Sequence, residues 1–154
     1  METTGAMALP EVAVNSVGRN RETLEFKVPS QPRLISVIRR RVSQFARSMA
    51  FTSDQLDDIG IAVGEAATNA VKYGRNPLGS NTVKVTAERH ADVLRICISD
   101  SGPGFDPSKV CPPGIGDLCE RGRGIMCMSS LMDEVIFHSL SPGTCVEMVK
   151  RVRG

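Results

Sequence analysis

The sequence predicts a two-layer α/β (α+β) sandwich, in which helices pack on one face of a mixed, mostly antiparallel sheet. Alternating apolar residues indicate strands that pair as hairpins, as in the segments TVKVTAERH and VLRICISD. Apolar residues at helical spacing indicate three amphipathic helices. Each element therefore has one apolar face, and two packed layers bury both kinds of face.

The composition is that of one globular domain. The chain has 154 residues, of which 41% are hydrophobic and 23% are charged. Its net charge of +2 gives no electrostatic case for direct binding to nucleic acid or to a membrane surface. No apolar run is long enough to cross a bilayer, and the start METTGAMALPEV lacks the features of a secretory signal. We therefore expect a cytoplasmic protein.

The N-terminal stretch differs from the rest of the chain. Residues 1–22 show no sustained period, so we expect a flexible tail or a loosely held edge, with the folded domain spanning 23–154. The segment TLEFKV, which starts at Thr23, alternates as a first strand.

Two helices follow the first strand. Apolar spacing predicts the first over Arg33 to Ala50. The second begins after Thr52 or Ser53, either of which can cap it, and ends at Gly74. It carries an apolar stripe that predicts a core seam and a second, partly polar stripe rotated by about 100°. The stripes are Leu56, Ile59, Val63, Ala66, Ala70 and Tyr73, and Asp58, Ala62, Glu65, Asn69 and Lys72.

The C-terminal half is predicted to hold two hairpins and a third helix. The first hairpin turns near Ala91-Asp92, and the second, in EVIFHSLSPGTCVEMVKRV, turns around Ser141-Pro142-Gly143. Glycine and proline are frequent over 102–124, which predicts a loop. The segment GIMCMSSLMDEV predicts a helix with an apolar stripe. That stripe consists of Ile125, Met128, Leu131 and Met132.

A carboxylate and an amide share one face of the second helix. Glu65 and Asn69 are four residues apart and lie beside the core edge. An asparagine oxygen suits Mg²⁺, and a glutamate can accept a proton from an attacking hydroxyl. The alternative is that both are solvated positions on a helix flank.

Asp100 ends a strand on its inward side. It shares a face with Leu94, Ile96 and Ile98, and a carboxylate that points toward a core needs a partner. The segment SGPG follows at once, and glycines at this position allow a tight turn and the close approach of a ligand. Such an acid suits a flat, amine-bearing base such as adenine. The alternative is an aspartate that caps its own turn.

The segment RGRG, residues 121–124, is predicted to come directly before the third helix. Backbone N–H groups and the positive end of the helix dipole can hold phosphate there, and the arginines add charge. Taken alone this signal is weak, because glycine before a helix is common and arginine is often a surface residue.

The cysteines and histidines predict no site of their own. The five cysteines are odd in number and form no CxxC pair, which fits reduced, structural thiols. A zinc site would need Cys111, Cys119, Cys127 and His138, whose spacing differs from that of the usual structural sites. His90 and His138 are expected to be structural.

The ordered motifs resemble a known superfamily. EAATNAVKYG, DSGPGFDP, RGRGIMCMSSLMDEV and GTCVEM are similar, in this order, to the N-box, the two glycine boxes and the closing Gly-Thr motif of the GHKL, or Bergerat-fold, ATP-binding superfamily. The resemblance spans about Thr23 to Arg151. Within the superfamily, the small single-domain layout looks most like the bacterial anti-sigma factor serine/threonine kinases. One departure is Tyr73-Gly74, where histidine-glycine is more usual.

The resemblance implies a role for each matching residue. Glu65 matches the general base and Asn69 the Mg²⁺ ligand. Asp100 matches the acid that binds the adenine amino group, with Thr144 assisting it. The remaining matches are to ATP-binding positions. They are Lys72 in the N-box, Gly102 and Gly104 in the first glycine box, Arg121, Gly122, Arg123 and Gly124 over the phosphates, and the loop Asp106 to Glu120 as the ATP lid.

The resemblance also implies a function and its partners. We expect an ATP- and Mg²⁺-dependent serine/threonine kinase that acts as an anti-sigma factor, with a sigma factor and an anti-anti-sigma (STAS-type) protein substrate as partners and a homodimer as its assembly. The alternative is a non-catalytic module of the same fold, in which ATP only orders a binding surface. A histidine kinase is disfavoured, since it needs a phosphoacceptor histidine on a dimerising helix.

Overall fold

A computed structural model describes residues 12–16, 18, 20–78, 81–103, 120–140 and 142–153. In this part of the chain, six strands form one sheet in the order β1-β2-β3-β4-β6-β5, with every pairing antiparallel. The strands are β1 (Ala13–Ser16), β2 (Arg21–Pro29), β3 (Thr82–His90), β4 (Val93–Asp100), β5 (Glu134–Ser139) and β6 (Thr144–Arg151), and the helices are α1 (Ile35–Ala46), α2 (Ser53–Tyr73) and α3 (Glu120–Leu131). The predicted fold class is confirmed.

The edge strand β1 lies within the stretch that the sequence assigns to a tail or a loose edge. It pairs with β2 from Ala13 opposite Glu25 to Ser16 opposite Glu22, and all four of its residues are exposed. A strand this short that buries no side chain leaves no readable alternation in the sequence. The next strand begins at Arg21, two residues before the predicted start of the domain.

The first helix is shorter than its predicted range of Arg33 to Ala50. A 3₁₀ turn at Pro32–Leu34 leads into α1, which ends at Ala46. Beyond it the Met49 N–H donates to the Ala46 carbonyl at 3.0 Å, in a turn that leads to the buried Phe51. The apolar spacing therefore continues past the helix, because the turn also directs its side chains into the core.

The second helix begins and ends where the sequence predicts. Thr52 is its N-cap: the Gln55 N–H donates to Thr52 Oγ1 at 3.1 Å, and the Thr52 N–H donates to Gln55 Oε1 at 2.9 Å. This is a capping box, which satisfies two backbone donors at once. Gly74 ends the helix, and its N–H donates to the Ala70 carbonyl.

The third helix starts earlier and ends earlier than predicted. It begins at Glu120, includes the RGRG segment, and ends at Leu131. Glu134 already belongs to β5, and Val135 pairs with Met148 of β6. The last residues of the predicted helix therefore belong to a strand that pairs with β6, because cross-strand packing overrides a local helical period.

The core lies between the helices and one face of the sheet. Burying one Leu, Ile or Val side chain stabilises a fold by roughly 1.5–3 kcal/mol. The largest fully buried side chains come from both layers: Ile38, Val42, Ile59, Val63 and Met128 from the helices, and Val28, Val83, Val85, Leu94, Ile96, Ile98 and Met148 from the strands. This packing fixes α2 and α3 against the inner face of β4 and β6. Among the described residues, no helix combines the length and apolar character needed to cross a membrane.

A buried cation ties α3 to α2. Lys150 of β6 is 9% exposed, and its ammonium donates to the Leu131 carbonyl at the end of α3. The same ammonium lies 3.5 Å from the carboxylate of Asp58 on α2. A cation is favoured at a helix C-terminus, where the dipole is negative. This contact helps to set where α3 lies over α2.

Candidate active site

Asp100 lies half-buried at the end of β4. Its Oδ1 accepts a hydrogen bond from the Gly102 N–H at 3.0 Å, so the turn-capping role is present. The same side chain lines a narrow cavity together with Met128, Phe137 and Thr144. Asp100 is therefore also placed to contact a ligand in that cavity.

Three glycines pack against Asp100 and its turn. A Cβ atom on Gly74 would lie 2.4 Å from the Asp100 Cβ, and one on Gly143 would lie 1.9 Å from the Asp100 carbonyl oxygen. A Cβ on Gly102 would lie 2.6 Å from the Gly74 Cα. Gly143 also has a φ of +106°, which disfavours other residues. The sequence predicts Gly74 as a helix stop and Gly143 as a turn residue, and both fall in matched motifs, but it does not predict their contacts with Asp100.

Thr144 faces Asp100 across the β4–β6 pair. The two residues are register partners, and Thr144 is 6% exposed. In the described part of the chain, its hydroxyl oxygen is buried and has no hydrogen-bond partner. A buried hydroxyl without a partner is costly in a folded protein. It therefore fits a ligand that supplies the missing hydrogen bond within the narrow cavity.

Glu65 and Asn69 share one face of α2, as their spacing predicts, and this face lies beneath α3. Both are half-buried. A Cβ on Gly124 of α3 would lie 3.0 Å from Glu65 Oε2 and 3.6 Å from Asn69 Nδ2. The two helices thus meet closely at the carboxylate and the amide, and a glycine at position 124 permits this approach.

An open cleft extends from this contact. It has a volume of about 440 Å³ and is lined by Glu65, Thr68, Asn69, Lys72, Tyr73, Arg123, Gly124 and Cys127. Asn69 lines both the cleft and the narrow cavity beside Asp100. The cleft holds two basic residues and the cavity is mainly apolar. Because they share Asn69, the two spaces adjoin, and together they make a candidate site with a charged end and an apolar end.

The RGRG segment lies inside α3 rather than before it, which corrects the prediction. Because the helix begins at Glu120, Gly122 falls in its first turn and Gly124 beyond it. Only the first N–H groups of a helix lack helical partners, so Gly122 is the better placed of the two to donate to an anion. Arg123 is exposed and lines the cleft.

Some predicted positions lie outside the described residues. These are Gly104, the Arg121 side chain, and the lid loop apart from the helix start at Glu120. Two cysteines of the unusual zinc set, Cys111 and Cys119, lie there as well. Among the residues that the structure describes, no group of three histidine, cysteine or acidic side chains is arranged to hold a metal ion.

Sequence reasoning missed several residues that line the cleft. Thr68, Tyr73 and Cys127 all contribute to its wall. Burial and the negative charge of Glu65 raise the pKa of the Cys127 thiol above its ordinary value of 9.0. Cys127 follows Gly124 by three residues, so its place on the same face of α3 was available from helical spacing. Tyr73 was assigned to the core seam alone.

The comparisons with known proteins show which family the chain belongs to. Residues 28–150 match the family model described as histidine kinase-like ATPase domain. The chain belongs to this family. The family implies the use of ATP and confirms the resemblance to the GHKL superfamily.

Several curated relatives of the family match most of this chain. It is 33% identical over 147 residues to the serine-protein kinase RsbW of Bacillus subtilis, which covers 88% of this chain and 89% of the relative. It is 34% identical over 143 residues to the RsbW of Bacillus velezensis, with 85% and 86% covered. The RsbW of Staphylococcus aureus is 35% identical over 141 residues, with 84% and 87% covered.

Two solved structures share the fold. The RsbU and RsbW domains of a Mycobacterium tuberculosis protein match with a TM-score of 0.64 and 17% identity, over 84% of this chain and 31% of that chain. A histidine kinase domain from Erythrobacter litoralis matches with a TM-score of 0.51 and 22% identity, over 64% of this chain and 45% of that chain. At these identities the likeness concerns the fold alone.

Proposed function

We propose that this chain is a serine/threonine protein kinase that transfers the γ-phosphoryl group of ATP to a hydroxyl of a regulatory protein. The observation that carries the proposal is the placement of Glu65 and Asn69 at the charged end of a site whose other end holds Asp100 and the buried Thr144 hydroxyl. Its curated relatives named serine-protein kinase support it.

The apolar end of the site suits the adenine ring. Asp100 offers a carboxylate to the exocyclic amino group, and the Thr144 hydroxyl offers a further hydrogen bond beside it. Ile98 and Met128 supply apolar contacts to the faces of a flat ring. A buried hydroxyl that has no protein partner gains one when the base binds, which favours a polar heterocycle over an apolar ligand.

The charged end suits the phosphates. Lys72 and Arg123 line the cleft, and the first turn of α3 presents N–H groups and the positive end of its dipole. Asn69 offers the neutral oxygen that Mg²⁺ accepts, and Mg²⁺ bound there would neutralise charge on the transferring phosphoryl group.

Glu65 is the residue that performs proton transfer. Its carboxylate is half-buried at the cleft wall, where a serine or threonine hydroxyl can approach the γ-phosphate. The carboxylate accepts the hydroxyl proton as the oxygen attacks, and such a base contributes typically about 10²–10⁴ in rate. Positioning and charge stabilisation supply the rest of the rate enhancement.

The partners are proposed from the resemblance. The protein substrate, or antagonist, is an anti-anti-sigma protein of the STAS type. When the kinase is not bound to this antagonist, it binds a sigma factor. Phosphorylation of the antagonist then decides which of the two is bound. The homodimer stays a prediction.

A transfer assay with labelled ATP tests the proposal. Purified protein is incubated with Mg²⁺, γ-labelled ATP and candidate STAS-type proteins of the same organism, and the acid stability of the product is scored. We expect an acid-stable phosphoester on one candidate. An acid-labile product would instead indicate a histidine or aspartate phosphorelay and would overturn the proposal.

The variant Glu65→Gln separates catalysis from binding. It removes the proton acceptor but keeps the size of the side chain, so transfer falls by about 10²-fold or more while the Kd for ATP changes by no more than about twofold. Asp57→Asn is the matched control, because Asp57 is an exposed acid on the same helix that lines a different groove. Normal transfer by Glu65→Gln would show that the base is wrongly assigned.

A further inference from the structure

The sheet face that points away from the helices carries a cluster that the proposed chemistry does not use. Its centre is Cys145 of β6, whose register partners are Ser99 of β4 and His138 of β5. Cys97 of β4 lies two pairs further along, opposite Glu147. Strand alternation places all five side chains on the same face.

The two thiols of this cluster are diagonal neighbours on adjacent strands. Cys97 pairs with Glu147 and Cys145 pairs with Ser99, so both side chains lie on one face and the intervening pair, Ile98–Val146, faces the other way. Cys145 is 8% exposed and Cys97 is half-buried, so a small solute reaches the pair more easily than a bulky reagent does. Neither cysteine is in a disulfide.

Charged and polar groups surround the pair on four strands. His138 Nε2 lies 2.8 Å from Glu147 Oε2, and Arg95 donates to the other oxygen of Glu147. Thr86 of β3 is the register partner of Cys97. The cluster is therefore a polar pocket built around a thiol pair rather than a buried apolar contact.

The surroundings make the two thiols unequal. The hydrogen bond from Cys97 lowers the pKa of Cys145 to about 6, aided by Ser99 and His138 and opposed by burial and by Glu147. The same contact raises the pKa of Cys97 above its ordinary value. A lowered pKa favours the thiolate of Cys145, and the thiolate is the form that reacts with oxidants.

The cluster lies directly behind the apolar end of the proposed site. The pair Ser99–Cys145 is followed along the same two strands by the pair Asp100–Thr144, whose side chains face the opposite way. A change that moves Cys145 relative to β4 also moves Thr144 relative to Asp100. Gly143 presses against the Asp100 carbonyl and leaves little room for independent movement.

We propose that Cys145 and Cys97 form a peroxide-sensitive dithiol whose oxidation weakens nucleotide binding at the proposed site. This inference rests on the proposed function for the identity of the ligand. The Cys145 thiolate attacks one oxygen of hydrogen peroxide, becomes a sulfenic acid, and releases hydroxide, which takes up a proton to form water. The Cys97 sulfur then attacks the sulfenic sulfur and forms the disulfide. The sulfenic hydroxyl leaves and takes up the Cys97 thiol proton, which gives a second water.

Closing this disulfide has a mechanical consequence. Diagonal neighbours on adjacent strands have their Cα atoms roughly 7–8 Å apart, whereas a disulfide takes about 4.4–6.8 Å. Bond formation therefore draws β4 and β6 together next to Asp100 and Thr144. Intracellular disulfides of this kind are usually transient and redox-sensing, since the reducing pool removes them.

The test uses a variant that keeps only this thiol pair. Cys111→Ser, Cys119→Ser and Cys127→Ser are combined, and the protein is treated with hydrogen peroxide and then with dithiothreitol. Intact mass and peptide mapping report the link, and a fluorescent ATP analogue reports affinity. We expect the loss of two hydrogens, about 2 Da, a link between Cys97 and Cys145, and an affinity that falls about tenfold and returns on reduction.

Matched variants decide the outcome. Adding Cys97→Ser should abolish both the link and the reversible loss of affinity. The proposal would be overturned if the Cys97–Cys145 link failed to form in the variant or was missing from peptide maps of the unaltered chain. A link that leaves the affinity for the ATP analogue unchanged would overturn it as well. If the reduced, unaltered protein binds no ATP, the proposed function fails and the coupling fails with it, while the mass change still decides whether the pair is redox-active.

Discussion

At the scale of single residues, the contact between Gly124 and Glu65 controls the position of the proposed base. Replacing Gly124 by alanine puts a Cβ at 3.0 Å from Glu65 Oε2, so the carboxylate must shift by a few tenths of an ångström. Catalytic groups are sensitive to such displacements. We expect Gly124→Ala to lower kcat about tenfold or more without loss of stability, since alanine is the better helix former by about 1 kcal/mol.

A glycine on the other helix is the matched control for this variant. Gly60 on α2 would place its Cβ at 3.6 Å from Ser43 Oγ, which is an ordinary contact. Gly60→Ala should raise the free energy of unfolding by up to about 1 kcal/mol and leave kcat unchanged. Steady-state transfer kinetics and denaturant unfolding check both variants. Equal kinetics for the two would remove Gly124 from the account of the site.

The buried hydroxyl of Thr144 gives a second prediction. Thr144→Val keeps the shape of the side chain and removes an oxygen that has no protein partner, so stability should stay equal or rise. The Kd for ATP should rise about tenfold, which corresponds to about 1.4 kcal/mol of lost binding energy. Denaturant unfolding and nucleotide titration measure the two quantities. A loss of stability with unchanged affinity would show that Thr144 is structural only.

Residue spacing was sufficient for part of this site. The helical period places Glu65 and Asn69 on one face of α2, and strand alternation places the Asp100 side chain inward. Both placements follow from local geometry. The contacts of Gly74 and Gly143 with Asp100 join residues far apart in the chain. No local pattern reports such a contact, and it emerged only from the packed structure.

At the scale of elements, the N-cap of α2 positions the helix that carries Glu65 and Asn69. Thr52→Ala removes one half of the capping box and should lower the free energy of unfolding by about 1 kcal/mol. Ser53→Ala is the control, since Ser53 is the first helical residue and is exposed. Urea unfolding of both variants provides the measurement. A larger loss for Ser53→Ala would contradict the assigned cap.

The limits of α2 were predictable from the sequence, whereas the ends of α1 and α3 were not. Thr52 and Gly74 carry the chemistry of a cap and a stop, so the limits of α2 followed from residue type. The end of α1 depends on a turn that leads to Phe51, and the end of α3 depends on the pairing of Val135 with Met148. Both are tertiary effects, which a helical period cannot reveal.

At the scale of the whole molecule, the outer face of the sheet responds to acid. Burial raises the pKa of Glu147, but hydrogen bonds from His138 and Arg95 outweigh this, and the pKa lies below its ordinary value of 4.5. A carboxyl with a depressed folded pKa contributes stability above its unfolded pKa and loses it as the pH falls through the folded value. The protein should therefore lose stability below pH 4.5.

The variant Glu147→Gln isolates this contribution. The slope of unfolding free energy against pH below 4.5 should be shallower in Glu147→Gln than in the unaltered protein. The nearby groups Cys145, His138 and Arg95 remain in both proteins. Urea unfolding across this range supplies the comparison. Equal slopes would show that Glu147 is not linked to acid stability.

The sheet and its helical layer were predictable as a whole because hairpins and amphipathic helices report their apolar faces in the sequence. The edge strand β1 was not, since it pairs through its backbone and exposes every side chain. Membership of the histidine kinase-like ATPase family agrees with this fold class and implies the use of ATP.

The most direct test of this site is a calorimetric titration of ATP into the purified chain, with Mg²⁺ and again with a chelator. The account predicts one ATP per chain, tighter binding with Mg²⁺, a loss of that Mg²⁺ dependence in Asn69→Ala, and weakened binding in Asp100→Asn. Absence of ATP binding, or binding that neither Mg²⁺ nor these variants alter, would contradict it.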